Sequence, residues 1–125
     1  MAEMVTGTVP DFGIWMQSVW QIVQGIPRGC VLTYGDVARL AGVGGSARAV
    51  SRALQRAPRD MKLPWHRVIN AQGRISFPLG SEGHRQQKSR LEKEGVVFLN
   101  GKTNLARFGY AGALDRLLWG QDSNF

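Results

Sequence analysis

Apolar positions along the chain fall into separated blocks, each with its own spacing. Phe12, Trp15, Met16, Val19, Trp20 and Val23 follow the i, i+3, i+4, i+7, i+8 rhythm of an amphipathic helix. Asp11 precedes them as an N-cap, Gly25 stops the run and Pro27 prevents its return. Two tryptophans on one helix face read as core, because large aromatics dominate buried area. Val31-Leu32 is a short buried stretch. Thr33-Tyr34-Gly35-Asp36 then has the form of a capping box, with Thr33 as N-cap. Val37, Ala38, Leu40 and Ala41 supply the buried face of the helix that follows, and Gly42-Val43-Gly44-Gly45 breaks it. Ser46 caps a further helix reaching about Arg56, before Pro58. Two short helices joined by a Gly-rich turn resemble a helix-turn-helix.

The second of these helices has two sides. Ala47, Val50, Ala53 and Leu54 can face the core, while Arg48, Arg52 and Arg56 recur every four residues as one basic stripe. Small Ala49 and Ser51 flank the stripe and would let the backbone approach a groove closely. Three arginines alone also describe a solvated face; behind a Gly-rich turn in a basic segment they favour nucleic acid. Residues 57–63 read as a loop, and Pro64-Trp65-His66-Arg67 leads into Val68-Ile69. Ala71-Gln72-Gly73 is a turn signal, which makes Arg74-Ile75-Ser76 the return strand of a small hairpin. Phe77-Pro78-Leu79-Gly80-Ser81 is a loop with apolar tips. A polar helix starting at Ser81 or Gly83 runs through Arg90, Leu91 and Glu94, with Gly95 as its stop. Val96, Val97 and Phe98 are extended and Asn100-Gly101 turns. The tail carries Leu105, Phe108, Tyr110, Leu114, Leu117, Leu118 and Trp119, enough apolar surface to dock on the core. The expected organisation is a flexible N-terminus over 1–10, a single domain over 11–119 and a flexible C-terminus over 120–125. No repeat, linker or low-complexity tract interrupts it.

Charge changes this picture. The 125-residue chain holds 16 Lys+Arg against 9 Asp+Glu, a net +7, with a pI near 10.5. The excess is concentrated: residues 39–90 carry eleven bases and only two acids, Asp60 and Glu82. A one-sided field of this kind favours a polyanion. Composition is otherwise ordinary for a globular domain, at 43% hydrophobic and 20% charged. No apolar run approaches membrane-spanning length, and the first residues lack the basic start of a signal peptide. Cys30 is the only cysteine, which forbids an intramolecular disulfide and suits a reducing cytoplasm. Cys30 sits in an apolar stretch and reads as a buried structural thiol. His66 and His84 have no acidic cluster near them in sequence, so no metal site is expected. The residue chemistry alone describes a basic binding module without an evident catalyst.

Pro64-Trp65-His66-Arg67-Val68-Ile69 resembles the Pro-Cys-His-Arg-Val active-site motif of the O6-alkylguanine-DNA alkyltransferases, with tryptophan where the reactive cysteine stands. That replacement is the mark of alkyltransferase-like proteins. The resemblance extends over Val31-Leu32-Thr33-Tyr34-Gly35-Asp36-Val37-Ala38, Ser46-Ala47-Arg48-Ala49-Val50 and Leu91-Glu92-Lys93-Glu94-Gly95, covering roughly residues 12–99. Three separated blocks agreeing in order and spacing make it specific. It implies a mainly α fold with a small β-hairpin, a winged helix-turn-helix-like domain similar to the C-terminal DNA-binding domain of those enzymes, without their N-terminal domain.

The resemblance further implies a non-enzymatic sensor of O6-alkylguanine in duplex DNA. His66 and Glu94 match the relay that activates the enzyme's thiolate, vestigial here because an indole offers no nucleophile. The second helix would enter the minor groove, with contacts from Tyr34, Ser46, Ala47, Arg48, Ala49, Ser51, Arg52, Arg67 and Arg74. Arg48 matches the finger that fills the gap left by the extruded base. Tyr34 matches the tyrosine that crowds the phosphate and promotes rotation, and Arg67 matches a residue that is more buttress than base contact. Tyr34, Trp65, His66, Val68, Phe77, Leu79 and Gly80 would line the lesion pocket. The implied partners are alkylated duplex DNA and the damage-recognition proteins of nucleotide-excision repair. No cofactor, metal or membrane is involved, and the protein would be a monomer in the cytoplasm, on the nucleoid if bacterial. Two departures stand out: Ala57 occupies the place of an asparagine that braces the enzyme's active site, and the Phe77–Leu79 loop is apolar where some relatives carry a base facing the lesion.

Overall fold

The computed structural model describes residues 12–42 and 45–111. The Asp11 cap, the segments 1–10 and 120–125 expected to be flexible, Val43-Gly44 of the expected helix break, and Leu114, Leu117, Leu118 and Trp119 lie outside the described residues. Within the span expected to form one domain, contacts gather into two compact units. The first comprises residues 12–25 and 34–65, the second 26–33 and 66 onward.

The first unit is helical. Helices α1 (Phe12–Gln24), α2 (Tyr34–Ala41) and α3 (Ala47–Gln55) pack on one another. Of the expected inner face of α1, Trp15, Val19 and Val23 are buried and Met16 and Trp20 half-buried, but Phe12, at the start of the helix, is exposed. The two indoles satisfy their N–H groups on backbone, as buried aromatics with a polar edge must. Trp20 Nε1 donates to the Ala53 carbonyl at 2.7 Å and Trp15 Nε1 to the Gly42 carbonyl at 3.4 Å. The first bond fastens α1 to α3. Gly45 is glycine because a Cβ there would sit inside the Trp15 ring.

The assignments of the α2 and α3 faces change as well. Leu40 is exposed, while Val37 and Ala38 form the buried face of α2. On α3, Ala49 is buried with Val50 and Ala53, whereas Ala47 is exposed. Residues two apart on a helix are separated by about 200°, so Ala47 and Ala49 cannot both face the same side. Ser46 caps α3 as expected, its Oγ accepting from Ala49 N at 3.2 Å.

The second unit is built around two pairs of very short strands. β1 (Leu32–Thr33) pairs in parallel with β2 (Val68–Ile69), Leu32 opposite Val68. The expected hairpin over 68–76 is therefore absent. Val68 and Ile69 are both fully buried and leave no solvent face for a hairpin strand. Asn70 closes a tight loop instead: its N donates to the Arg74 carbonyl, and its Oδ1 accepts from Gln72 N and Arg74 N at 2.9 Å. The hairpin lies further on, where β3 (Phe98–Leu99) and β4 (Lys102–Thr103) run antiparallel about the Asn100-Gly101 turn. Val31, Ile69, Ile75, Leu91 and Val96 form the core, with Phe98, Leu105 and Phe108 against it. Leu91 comes from α4 (Glu82–Lys93), capped by Ser81, and Leu105 opens α5 (Leu105–Phe108). The docking expected of the tail is observed for Leu105 and Phe108, and Tyr110 N donates to the Val31 carbonyl at 2.7 Å.

Gly73 holds the Asn70 loop against β4. Its φ is +80°, Thr103 N donates to its carbonyl at 2.9 Å, and a Cβ would lie 2.5 Å from the Thr103 carbonyl oxygen. Gly73→Ala is expected to destabilise the fold by about 2 kcal/mol, from left-handed strain plus a backbone clash that no rotamer relieves. A shift in the urea midpoint at unchanged slope would register it; an unmoved midpoint would mean that the loop adjusts freely.

Candidate functional site

In the helical unit, α3 presents Arg48 and Arg52 to solvent, with exposed Arg56 as its C-cap, while Ala49, Val50 and Ala53 turn inward. Arg48 is the second residue of α3, so its guanidinium stands on the first turn of a side-chain-capped helix. Ala47 and half-buried Ser51 are the small residues beside the ridge, and buried Ala49 is not on the outer surface. Such a ridge can hold successive phosphates or reach into a groove, because charge and low steric bulk coincide on it. Tyr34 opens α2 and is half-buried.

Pro58 leads into a 3-10 turn over Arg59–Met61, and a second 3-10 turn, Trp65–Arg67, carries the chain into β2. Trp65 N donates to the Leu63 carbonyl at 2.8 Å, and its side chain is half-buried. From His66 onward the residues belong to the second unit.

The chemistry of that unit converges on Glu94, which ends α4. A carboxylate at a helix C-terminus faces the negative end of the backbone dipole and is disfavoured there on its own. Cationic and N–H donors reverse this. Arg67 Nη2 donates to Oε2 at 2.8 Å and Arg67 Nε to Oε1 at 3.0 Å, a two-pronged grip. Gly29 N donates to Oε1 at 3.0 Å, and His66 Nε2 lies 2.7 Å from Oε2. The Glu94 side chain is only 6% exposed. Burial raises its pKa; the bonds from Arg67, Gly29 and His66 outweigh that and hold it at about 2. Burial pushes the His66 pKa down, against the opposing pull of Glu94. His66 is thus neutral beside an ionised carboxylate, which places its proton on Nε2, donating to Glu94.

Two further groups lock this hub. Arg67 Nη1 donates to the Ile26 carbonyl at 2.9 Å, so its guanidinium is spent on the protein interior, as a buttress requires. Gln87 is 1% exposed, and its Nε2 donates to the carbonyls of His66 at 3.0 Å and Val68 at 2.8 Å. Gln87 and Gly29 are the members that the sequence reading missed. A glutamine in a polar helix and a glycine in a turn carry no signal of such roles. Arg74 is exposed, its Nη1 donating to the Asn100 carbonyl at 3.3 Å, and Phe77, Leu79 and Gly80 are exposed. Cys30 is free and only half-buried, not the fully buried thiol expected from its apolar neighbours. Among the described residues no three metal-binding side chains come together, and no helix is long and apolar enough to cross a membrane.

A family model for the DNA-binding domain of 6-O-methylguanine DNA methyltransferase matches residues 15–96. A "DNA base-flipping protein" of Escherichia coli is 47% identical over 92 residues, covering 74% of this chain and 70% of its own. "Alkyltransferase-like protein 1" of Schizosaccharomyces pombe is 46% identical over 78 residues, covering 62% of this chain and 72% of its own. The chain belongs to this family, as an alkyltransferase-like member. Its fold agrees: the crystal structure of S. pombe Atl1 with damaged DNA containing O6-carboxymethylguanine is 39% identical, with a TM-score of 0.66, over 76% of this chain and 93% of that one. The helix-turn-helix of α2 and α3 in this alkyltransferase-like chain is thus a family element.

Proposed function

We propose that this chain binds O6-alkylguanine in duplex DNA, turns the damaged nucleotide out of the stack and holds it without removing the alkyl group. The observation that carries the reading is the hub itself. His66, Arg67 and Glu94 keep a complete, buried, charge-satisfied arrangement, while the residue before His66 is tryptophan. An indole N–H is a donor and gives the relay no thiol to activate. The names of the E. coli and S. pombe relatives, and the damaged DNA bound by the latter, support lesion recognition.

In this reading α3 enters the minor groove with Ala47 toward the backbone, and Arg48 fills the space vacated by the base. Arg52 tracks phosphate. Tyr34 crowds the phosphate of the rotating nucleotide, and Trp65 offers the extruded purine a flat apolar face. Flipping costs a few kcal/mol, least where pairing is already impaired, and O6-alkylation removes the N1 proton that pairs with cytosine. A stacked aromatic contributes about 1–3 kcal/mol per base, enough to offset much of that cost. The held lesion is then presented to the damage-recognition proteins of nucleotide-excision repair.

The test is a titration at fixed salt with plain, O6-methyl and bulkier O6-alkyl duplexes in several sequence contexts. Tighter binding of the alkylated duplexes in every context is expected. Preference for one sequence regardless of alkylation would instead make the chain a transcription regulator. Trp65→Ala should weaken alkylated DNA more than plain DNA, by about 1–3 kcal/mol; equal losses would reduce Trp65 to a structural filler. Incubation with DNA labelled on the alkyl group should leave the protein unlabelled and both base and strand intact.

A further inference from the structure

Beyond the last turn of α3 the positive charge continues. Residues 56–62 hold Arg56, Arg59 and Lys62 against a single acid, Asp60, and all four are exposed. Among the described residues no carboxylate pairs with any of the three cations. The segment that carries them is framed by the helical unit. Arg56 N donates back to the Arg52 and Ala53 carbonyls at 3.2 Å. Met61 N donates to the Pro58 carbonyl at 3.0 Å and Lys62 N to that of Arg59 at 3.1 Å. Gln24 Nε2, from α1, donates to the Met61 carbonyl at 3.0 Å. Lys62 takes the left-handed conformation, φ 51°, and the chain passes from this exposed lysine to buried Leu63.

Cations gathered on a fixed loop repel one another in the free protein, and a polyanion relieves that repulsion. The same loop offers a protein partner little. Leu63 is buried, Met61 is half-buried, and no exposed aromatic or large aliphatic side chain over 56–62 could anchor a protein contact. Phosphate needs only the charge. Arg56 follows Arg48 by eight residues, about 12 Å along the helix axis at roughly 1.5 Å per residue, so Arg48 and the loop meet different parts of a duplex. We propose that Arg59 and Lys62, continuing from Arg56, form a second grip on the DNA backbone, blind to base and lesion, which holds phosphates to one side of the nucleotide at which Arg48 acts. The proposal rests on the reading of α3 as the DNA-facing helix, and it gives the loop before Trp65 a ligand, the sugar-phosphate backbone of the flanking duplex.

The probes are plain and O6-methylguanine duplexes, titrated by anisotropy at several salt concentrations against the native chain and a double variant, Arg59→Gln with Lys62→Gln. Both side chains are exposed, so the urea midpoint should not move. The double variant should weaken the two duplexes by the same factor and reduce the slope of log K against log salt by about two. Arg59→Lys keeps the charge and should keep the slope. Ethylation of single phosphates maps the grip: those to one side of the lesion whose ethylation weakens the native chain should no longer matter to the double variant. An unchanged slope, a loss confined to the alkylated duplex, or the same ethylation pattern in both proteins would overturn the proposal. Should the double variant unfold, the single variants carry the test, each expected to lower the slope by about one. If the native chain binds both duplexes equally, the lesion reading fails, while the slopes and the ethylation pattern still decide for or against the second grip.

Discussion

Replacing Glu94 with glutamine is expected to lower the unfolding free energy by about 3 kcal/mol near neutral pH. Glutamine keeps the shape but turns one acceptor oxygen into a donor NH2. Arg67 and His66 both donate to Oε2, and Arg67 and Gly29 to Oε1, so either orientation sets donor against donor. The guanidinium of Arg67, 16% exposed, would also lose its counter-charge. Removing one member of a buried pair costs about 3–5 kcal/mol, mostly through the charge left behind. The acidity of Glu94 gives an independent figure: its pKa falls from 4.5 to about 2, worth about 3 kcal/mol at roughly 1.4 kcal/mol per unit. Urea denaturation measures the difference, and a loss below about 1 kcal/mol would mean that the hub contributes little.

The pH dependence carries its own signature. A depressed carboxylate pKa stabilises the fold fully above its unfolded value of 4.5, and this contribution is lost as the pH falls toward about 2. His66 has a depressed pKa as well, so the fold favours its neutral form. Its contribution is complete above the ordinary histidine value of 6.5 and fades as the pH falls below that. The native protein should therefore lose stability in two stages, the first from His66 and the second from Glu94. In Glu94→Gln the second stage should flatten. The first should steepen, because the group that raises the His66 pKa is gone.

Helices were legible in the sequence because their signals are local. The spacing of Trp15, Val19 and Val23 and the caps at Ser46 and Ser81 locate α1, α3 and α4 within a residue or two. What was hidden depends on partners distant along the chain. Val68-Ile69 looks the same whether its neighbour is Arg74–Ser76 or Leu32–Thr33; only the full burial of both residues, a tertiary fact, selects the parallel pairing. Ala47 and Ala49 are indistinguishable by composition, and helix packing decides which faces out. His66 and Glu94 were placed together by family resemblance, and their 2.7 Å contact gives that pairing a geometry. Gln87, whose amide ties the His66 and Val68 carbonyls, resembles any solvated glutamine until the helix is docked.

Arg48→Ala is expected to weaken binding of an O6-alkylguanine duplex by about 1–3 kcal/mol, roughly five- to 150-fold. The fold should not suffer. Arg48 is exposed, alanine is the best helix former, and the Ser46 cap bonds the backbone of Ala49, not the Arg48 side chain. Any loss then belongs to DNA. Arg52, one helical turn on, is the internal control, since a phosphate contact is blind to the base. Arg52→Ala should weaken plain and alkylated duplexes alike and reduce the slope of log K against log salt by about one. Arg48→Ala should instead narrow the gap between the two duplexes, because the space it fills exists only when a nucleotide has left the stack. Anisotropy titrations of both variants on both duplexes, at two salt concentrations, separate these outcomes. If Arg48→Ala lowers plain and alkylated binding by the same factor, Arg48 is one more phosphate contact, and the gap left by the flipped base must be filled by another side chain or remain open.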